Sequence, residues 1–229
     1  MGLLIRSWNV FHGNAKPPCR RSYLREMIAM ATGDEPDVLC LQELPVWALP
    51  RLRRWSGMIV LPAIARHGLP TTRLAGWATR LNNGLLRSAI AGQANAILVS
   101  QAHAVEDLGS VRVSEHRIEP RVCQAVRVGG SVVVGNTHLS SGGHDQRGEL
   151  ERVLAFLDSV AREAEPVVLA GDLNLRQPGL DGFSRPGPGI DHVLARGVAA
   201  APLDVWPEER RRQNGLVLSD HAPVELRLE

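Results

Sequence analysis

The stretch EPVVLAGDLNLR, Glu165 to Arg176, runs from an apolar segment into a glycine and then presents Asp172 and Asn174 two residues apart. Taken alone it reads as a polar turn, where Asp, Asn and Gly serve local hydrogen bonds. The rest of the chain repeats the arrangement. LIRSWNV delivers Asn9, DVLCLQE delivers Glu43, and VVVGNTH delivers Asn136 and His138. GIDHVL begins with Asp191 and His192, and LSDHAPVEL sets Asp220 and His221 just before the last apolar run. Strands lying side by side would gather these acids, amides and imidazoles along one edge of the sheets. Clustered carboxylates repel and shift one another's pKa values, and a hard divalent cation supplies a chemical reason to assemble them. Mg²⁺ takes oxygen ligands and is held by one or two carboxylates plus substrate phosphate oxygens. Glu43 with Asn9 and Asp220 makes such a set. The imidazoles suit general acid–base work better than Mg²⁺ ligation. Asp191 is the candidate to orient His221 through a ring N–H, as a carboxylate does in hydrolase triads.

Those groups need elements to hold them. Runs rich in Val, Ile and Leu and bounded by Gly, Pro, Asn or Asp predict strands over Leu3–Val10, Asp37–Leu41, Gly57–Leu61, Ala94–Val99, Val122–Val128, Val132–Thr137, Val167–Ala170, Ile190–Leu194 and Ala222–Leu228. Helices are predicted over Ser22–Ala31, Val46–Trp55, Leu74–Arg87 and Gln146–Ala164. The last shows Leu150, Val153, Leu154, Leu157 and Val160 at helical spacing. VGGSVVV carries a Gly-Gly hairpin signal. Mixed helices and adjacent strands point to a layered α/β domain. With no repeat and no low-complexity linker, the whole of 1–229 reads as one domain. The Pro/Gly-rich stretch Arg176–Gly189 reads as a surface loop.

Composition narrows the class. The 229 residues are 44% hydrophobic and 22% charged, ordinary for a folded protein with a substantial core. A net charge of +2 does not by itself demand a polyanionic partner. Lys16 is the only lysine, so the basic side is carried by arginine, whose planar fork suits phosphate. Cys19, Cys40 and Cys123 are odd in number and far apart, which supports neither a disulfide framework nor a structural zinc site. No stretch is long and apolar enough to span a bilayer, and Arg6 interrupts any leader-like run. A cytoplasmic protein is the expectation.

Taken together, WNV, LQE, NTHLSS, GDLN, IDHVL and SDHAPVEL, in this order and at these intervals, resemble the endonuclease/exonuclease/phosphatase superfamily, deoxyribonuclease I in particular. The resemblance runs from Ser7 to Leu226. It implies a four-layer α/β sandwich: two central, mostly antiparallel sheets packed face to face with helices outside. It also implies metal-dependent cleavage of phosphate esters. Carried over by motif, Glu43 is the principal Mg²⁺ ligand (Mn²⁺ substituting) and Asn9 its neighbour. Asp172 and Asn174 position the attacking water and the scissile phosphate. His221, held by Asp191, pairs with His138, which stands where deoxyribonuclease-like and sphingomyelinase-like members have histidine. Abasic-site endonucleases carry tyrosine there and often an acid where this chain has Phe11. Whether Asp172 or His221 is the general base is left open. Asn95 matches a position near the substrate, and His144 lies in the loop after His138 within reach of it.

The implied activity is a Mg²⁺-dependent nuclease acting on DNA, working as a monomer with nucleic acid as substrate and no stable protein partner. The alternative is a phosphatase or phosphodiesterase on small-molecule or lipid-headgroup phosphoesters, such as inositol phosphates or sphingomyelin. Arg66, Arg73, Arg80 and Arg87, with Trp77 between them, form either a phosphate-tracking face or an ordinary helix covering the sheet with Leu74, Leu81 and Leu85. PRLRRWSG and EERRRQNG read as solvated charge runs. His12, His67, His103 and His116 read as surface or cap histidines, and His192 as a structural residue on the opposite face from Asp191. Arg147 is either a helix N-terminal ion pair or a phosphate contact.

Overall fold

A computed structural model describes residues 2–19, 21–67, 92–115, 120–142 and 145–229. The expected helix 74–87 and the arginine face, apart from Arg66, lie outside these residues, as do His116 and His144. Among the described residues two large sheets dominate. One runs β11–β14–β1–β3–β5–β4, from β1 (Leu4–Asn9), β3 (Val38–Leu44), β4 (Ile59–Arg66), β5 (Gln93–Val99), β11 (Asp204–Val205) and β14 (Val224–Arg227). The other runs β10–β9–β8–β7–β6, from β6 (Val105–Arg112), β7 (Val122–Val128), β8 (Val132–His138), β9 (Val167–Asp172) and β10 (Asp191–Arg196). Among the described strands of these two sheets, β1/β3 and β8/β9 pair in parallel and the other pairs are antiparallel. A small ribbon joins β2 (Ala15–Lys16), β12 (Arg212–Gln213) and β13 (Leu216–Leu218).

Strand alternation sorts the side chains into layers. Ile5, Val38, Cys40 and Ile97 of the first sheet meet Val126, Val134, Val168, Ala170 and Val193 of the second in the inter-sheet core. Trp8, Leu39, Leu41 and Leu98 face outward beneath helices α1 (Leu24–Thr32) and α2 (Leu49–Ser56). Val133, Leu169 and Leu194 face outward beneath α3 (Gln146–Val160). Helix, sheet, sheet and helix make the four-layer sandwich expected. No helix of the described residues is long and apolar enough to cross a membrane.

Arg6 lies on the outer face of β1, fully buried, and each of its donors has a partner. It grips Asp34 bidentately at 2.7 and 2.8 Å, donates to Glu225 and to the Ala31 carbonyl, and stacks 4.4 Å from the Trp206 ring. A buried charge is tolerable only when paired and hydrogen-bonded in this way.

Several boundaries differ from those read off the sequence. Strand β6 escapes prediction because VEDLGSVR is an edge strand with no fully buried position and two acids, Glu106 and Asp107, along it. The helix α3 stops at Val160, short of Ala164, because the Glu165 carboxylate takes the Arg162 N–H at 2.8 Å and draws the chain into a turn. The hairpin signal at Gly129-Gly130 is matched by the β7–β8 pairing.

The inter-sheet core ends in amides. Gln42 Nε2 donates to Asn136 Oδ1 at 2.8 Å and to Ser7 Oγ at 3.0 Å; Asn136 Nδ2 donates to the carbonyls of Leu41 and Ala96, each at 3.1 Å. Asn136, grouped by sequence with the cleft residues, is instead fully buried in this bridge between the sheets. Replacing Asn136 with Leu strands two carbonyls and the Gln42 amide, and each buried unsatisfied group costs about 1–3 kcal/mol. Urea unfolding of the Asn136→Leu protein is expected to show a loss of about 2–4 kcal/mol at unchanged m. A change below about 0.5 kcal/mol would mean that the bridge does not hold the sheets together.

Candidate active site

The motif residues converge where the two inner faces turn from apolar to polar. β9 delivers Asp172 on the same face as Val168 and Ala170. Gly171 before it has φ 143, and a Cβ there would fall 1.9 Å from the Thr137 carbonyl oxygen, so only glycine lets β8 and β9 come together at this point. Asp172 Oδ2 accepts from Asn9 Nδ2 at 3.0 Å, and Oδ1 accepts from the Asn174 N–H at 3.1 Å. His138 Nε2 lies 3.5 Å and His221 Nδ1 3.7 Å from Asp172 Oδ2.

Glu43 reaches the site through a backbone irregularity. Alternation alone would send it outward with Leu39 and Leu41, but the β3–β5 register shifts between Leu41 and Leu44 and Glu43 adopts φ 54. The bulge re-aims the carboxylate inward, where Oε1 accepts from Asn9 Nδ2 at 3.3 Å. Asn9 thus gives N–H groups to carboxylates from both sheets, while its own oxygen accepts from the Phe11 N–H at 3.0 Å.

Asp191, opposite Asp172 in the β9–β10 register, accepts from His221 Nδ1 at 2.8 Å. Asp172, Asp191 and His221 offer ligand-type atoms within 4.8 Å of one another. Asp220 Oδ1 lies 4.0 Å from His221 Nε2 and is buried without a hydrogen-bond partner among the described residues. Asn174 holds a left-handed turn at φ 50 and donates through Nδ2 to the Leu139 carbonyl at 2.9 Å. Asn95 donates to the Val122 carbonyl and lines a shallow surface crease with Gln93, Arg121 and His138. His192 faces outward, as alternation implied, and holds the Leu175 carbonyl at 2.8 Å. Arg147 donates to the carbonyls of Gln177 and Pro178, pinning that loop to α3.

Burial and charge divide the titratable groups. Burial lifts Glu43 to about 7; burial and the Asp191 charge lift Asp172 to about 6. Burial works against charging His221, yet the Asp191 hydrogen bond and the surrounding carboxylates raise it to about 9. Burial and then the Arg121 guanidinium hold His138 well below the usual histidine value. One imidazole is therefore a cation at neutral pH and the other a neutral ring.

Four residues join the site that sequence reading did not place there. Arg121, buried ahead of β7, sets Nη1 3.0 Å from His138 Nδ1, and Gln93 Nε2 lies 3.4 Å from the same nitrogen. Gln93 was detectable, since it shares a strand face with Asn95 two positions on; Arg121 carried no signal. Arg211, read as one of a solvated run, is buried, and its Nη1 is shared among the carbonyls of Leu218, Ser219 and His221 at 3.0–3.2 Å. The Asn214-Gly215 pair, φ 50 and 78, marks the tight hairpin that presents Arg211, and that signal was in the sequence. His12, read as a surface or cap residue, is only 5% exposed and sets Nε2 3.7 Å from Glu43 Oε2.

The raised pKa of His221 has a thermodynamic consequence. A group that binds its proton more tightly when folded adds stability below its unfolded value, and that stability is lost as pH rises through the folded value. For His221 the window runs from its ordinary 6.5 to about 9. Melting temperature in EDTA is expected to fall from pH 7 to pH 9, and His221→Gln to lack that fall. Equal alkaline slopes in both proteins would contradict the Asp191–His221 assignment.

The sequence matches the profile of the Endonuclease/Exonuclease/phosphatase family over residues 7–221. A search of curated proteins finds no match. Among solved structures, an endonuclease/exonuclease/phosphatase from Beutenbergia cavernae DSM 12333 is similar at 18% identity and TM-score 0.68, covering 100% of this chain and 71% of that one. A humanized D. rerio TDP2 is similar at 19% identity and TM-score 0.64, covering 100% and 99%. A mannosyl-6-phosphatase of Bacteroides thetaiotaomicron VPI-5482 is similar at 15% identity and TM-score 0.65, covering 99% of each. At such identities these likenesses speak to the fold, which is the sandwich described above. The profile match across nearly the whole chain decides the rest: the chain belongs to the endonuclease/exonuclease/phosphatase family, whose members are metal-dependent phosphoester hydrolases.

Proposed function

We propose that this chain is a Mg²⁺-dependent phosphodiesterase that hydrolyses DNA by in-line attack of water on phosphorus, with Mn²⁺ able to replace Mg²⁺. The observation that carries hydrolysis is the Asp172 carboxylate, met by Asn9, His138 and His221 at 3.0, 3.5 and 3.7 Å. Asn9, expected as a ligand, turns its Nδ2 to Glu43 and gives its Oδ1 to the Phe11 N–H, so the oxygen donors for a divalent cation come from Glu43 and Asp220. They fit it: burial holds Glu43 near 7, and the buried Asp220 Oδ1 has no hydrogen-bond partner among the described residues. Bound there, the cation supplies neutralisation of phosphate charge and stabilisation of the leaving oxygen.

The chain's own groups do the proton work. Asp172, near 6, is ionised at neutral pH and serves as the base for the attacking water; its Oδ1 is steadied by the Asn174 amide. His221, near 9, is protonated there and serves as acid toward the leaving oxygen, with Asp191 fixing its ring. Arg121 Nη1 stands 3.0 Å from His138 Nδ1 and 3.3 Å from Nε2; we assign the ring proton to Nε2, where the neutral ring serves as a hydrogen-bond donor to a phosphoryl oxygen. Arg211 is a positioning residue: it shapes the Ser219–His221 turn through backbone carbonyls without touching the reacting atoms.

The DNA reading is supported by the deoxyribonuclease-like histidine at position 138, with two cationic groups, Arg121 and His221, near the point where a phosphate would sit. A second reading, a phosphatase on a sugar phosphate or other small phosphoester, is favoured by similarity over the full chain to the Bacteroides mannosyl-6-phosphatase. Incubation with supercoiled plasmid, bis-p-nitrophenyl phosphate and hexose 6-phosphates, each with Mg²⁺, Mn²⁺ or EDTA, separates the two. Metal-dependent nicking abolished by His221→Ala supports the nuclease. Turnover of monoesters alone transfers the function to the phosphatase reading.

On the productive substrate, Asp172→Asn is expected to lower kcat by about 10²–10⁴-fold. The wild-type profile of kcat/KM against pH is expected to be bell-shaped, with limbs near 6 and 9, the base needing to be ionised and the acid protonated. A profile flat from pH 5 to pH 10 would exclude this assignment. Arg211→Met should lower kcat by about tenfold with KM within about twofold, the signature of a misplaced rather than a missing group. Arg211→Met activity equal to wild type would remove its positioning role.

A further inference from the structure

We infer that Trp8 is a positioning residue for the leaving-group acid: its indole N–H fixes the backbone of His221 from the opposite face of β1. The inference rests on the assignment of His221 as the acid above and adds the residue that aims it.

β1 ends in Trp8 and Asn9, whose side chains alternate to opposite faces. Asn9 turns inward and gives Nδ2 to Glu43 and Asp172. Trp8, fully buried, lies outward in the cluster beneath α1 and α2. From there its Nε1 donates to the His221 carbonyl at 3.0 Å, across 213 positions of the chain. His221 therefore straddles the end of β1. Its carbonyl is held on the outer side, while its ring meets Asp191 at 2.8 Å and stands 3.7 Å from Asp172 on the inner side.

The turn that carries His221 lies between β13 and β14 and has no regular ladder of its own. Its geometry comes from a few donors and acceptors. The His221 N–H donates to Ser219 Oγ at 3.1 Å, and the carbonyl accepts from Trp8 Nε1 and from Arg211 Nη1 at 3.2 Å. Arg211 divides that nitrogen among the carbonyls of Leu218, Ser219 and His221, whereas the indole N–H is given to His221 alone. A divided donor shapes the turn as a whole; the undivided one sets the place of a single carbonyl. The aim of the indole is fixed in turn. Trp206 stands against it with ring centroids 6.4 Å apart, carries the Arg6 and Arg210 guanidinium groups 4.4 and 3.5 Å from its own ring, and donates to Glu225 at 3.0 Å. A shift of the His221 carbonyl carries its Cα and ring with it, and a misplacement of about 1 Å can cost about 100-fold in rate.

Packing beneath the helices needs the Trp8 ring but not its N–H, so Trp8→Phe isolates the donor. Leaving-group dependence then separates a misplaced acid from a loosened fold. An acid matters most where the leaving oxygen most needs a proton, and p-nitrophenolate needs it less than phenolate. On whichever phosphate mono- or diester series wild type turns over, Trp8→Phe is expected to lower kcat roughly tenfold for the phenyl ester and less than about threefold for the p-nitrophenyl ester, with KM within about twofold in both. Benzothienylalanine at position 8, which keeps the shape of the ring and lacks the N–H, should give the same split and covers the case in which Trp8→Phe loses stability. His221→Ala should show the split at larger size. An equal loss on both esters, or no loss, in the two position-8 variants would overturn the inference and leave the acid assignment standing. An equal loss on both esters in His221→Ala would overturn that assignment and the inference with it.

Discussion

Asn9 divides one amide between two carboxylates, Glu43 of its own sheet and Asp172 of the other, and the organisation of the site depends on that division. Both acids sit at strand ends where the inter-sheet packing has stopped excluding polar atoms, and each is lifted toward neutrality by burial. A neutral donor between them offsets part of their repulsion and fixes the distance between the sheets at that edge. One layer below, Gln42 and Asn136 do the same with purely neutral groups. The sandwich is thus closed by a graded sequence: aliphatic contacts, then neutral amides, then amide-bridged acids.

Local backbone strain is spent at the same edge. Phe11, His12, Glu43, Asn174 and Ser219 all have positive φ without being glycine, and all lie in the turns or, for Glu43, the β3 bulge that carry the site. Each aims a side chain where regular geometry would not: Glu43 inward from an outward position, His12 toward Glu43, and Ser219 so that its hydroxyl bonds the Asn9 carbonyl at 2.7 Å and accepts the His221 N–H at 3.1 Å. Such conformations survive because packed neighbours over-determine them.

The histidines show how one residue type is given different chemistry by its neighbours. Asp191 makes His221 a cation; Arg121 and burial keep His138 neutral. His192, one position from Asp191 but on the other face of β10, meets a backbone carbonyl and serves as scaffold. Placement relative to charge, more than ring chemistry, separates acid, donor and strut.

Much of this was legible in the sequence. Runs rich in Val, Ile and Leu between turn residues marked most of the long strands, and period-two alternation within them explains why Asn9, His138, Asp172 and Asp191 point inward together while His192 does not. Six short motifs in order identified the family and nominated the residues that gather around Asp172. The illegible part shares one physical cause. Arg121, Arg211 and His12 act through contacts between segments far apart in the chain, and their own local patterns are those of an ordinary loop or charge run. A buried arginine and a solvated one look alike until the carbonyls around them are known, and a histidine in a turn joins a site only when a carboxylate arrives from another strand. Local pattern therefore determined which strands form and which groups they carry. The tertiary structure alone decided which charges meet, because charge pairing, burial and backbone strain are properties of the packed layers and not of any one segment.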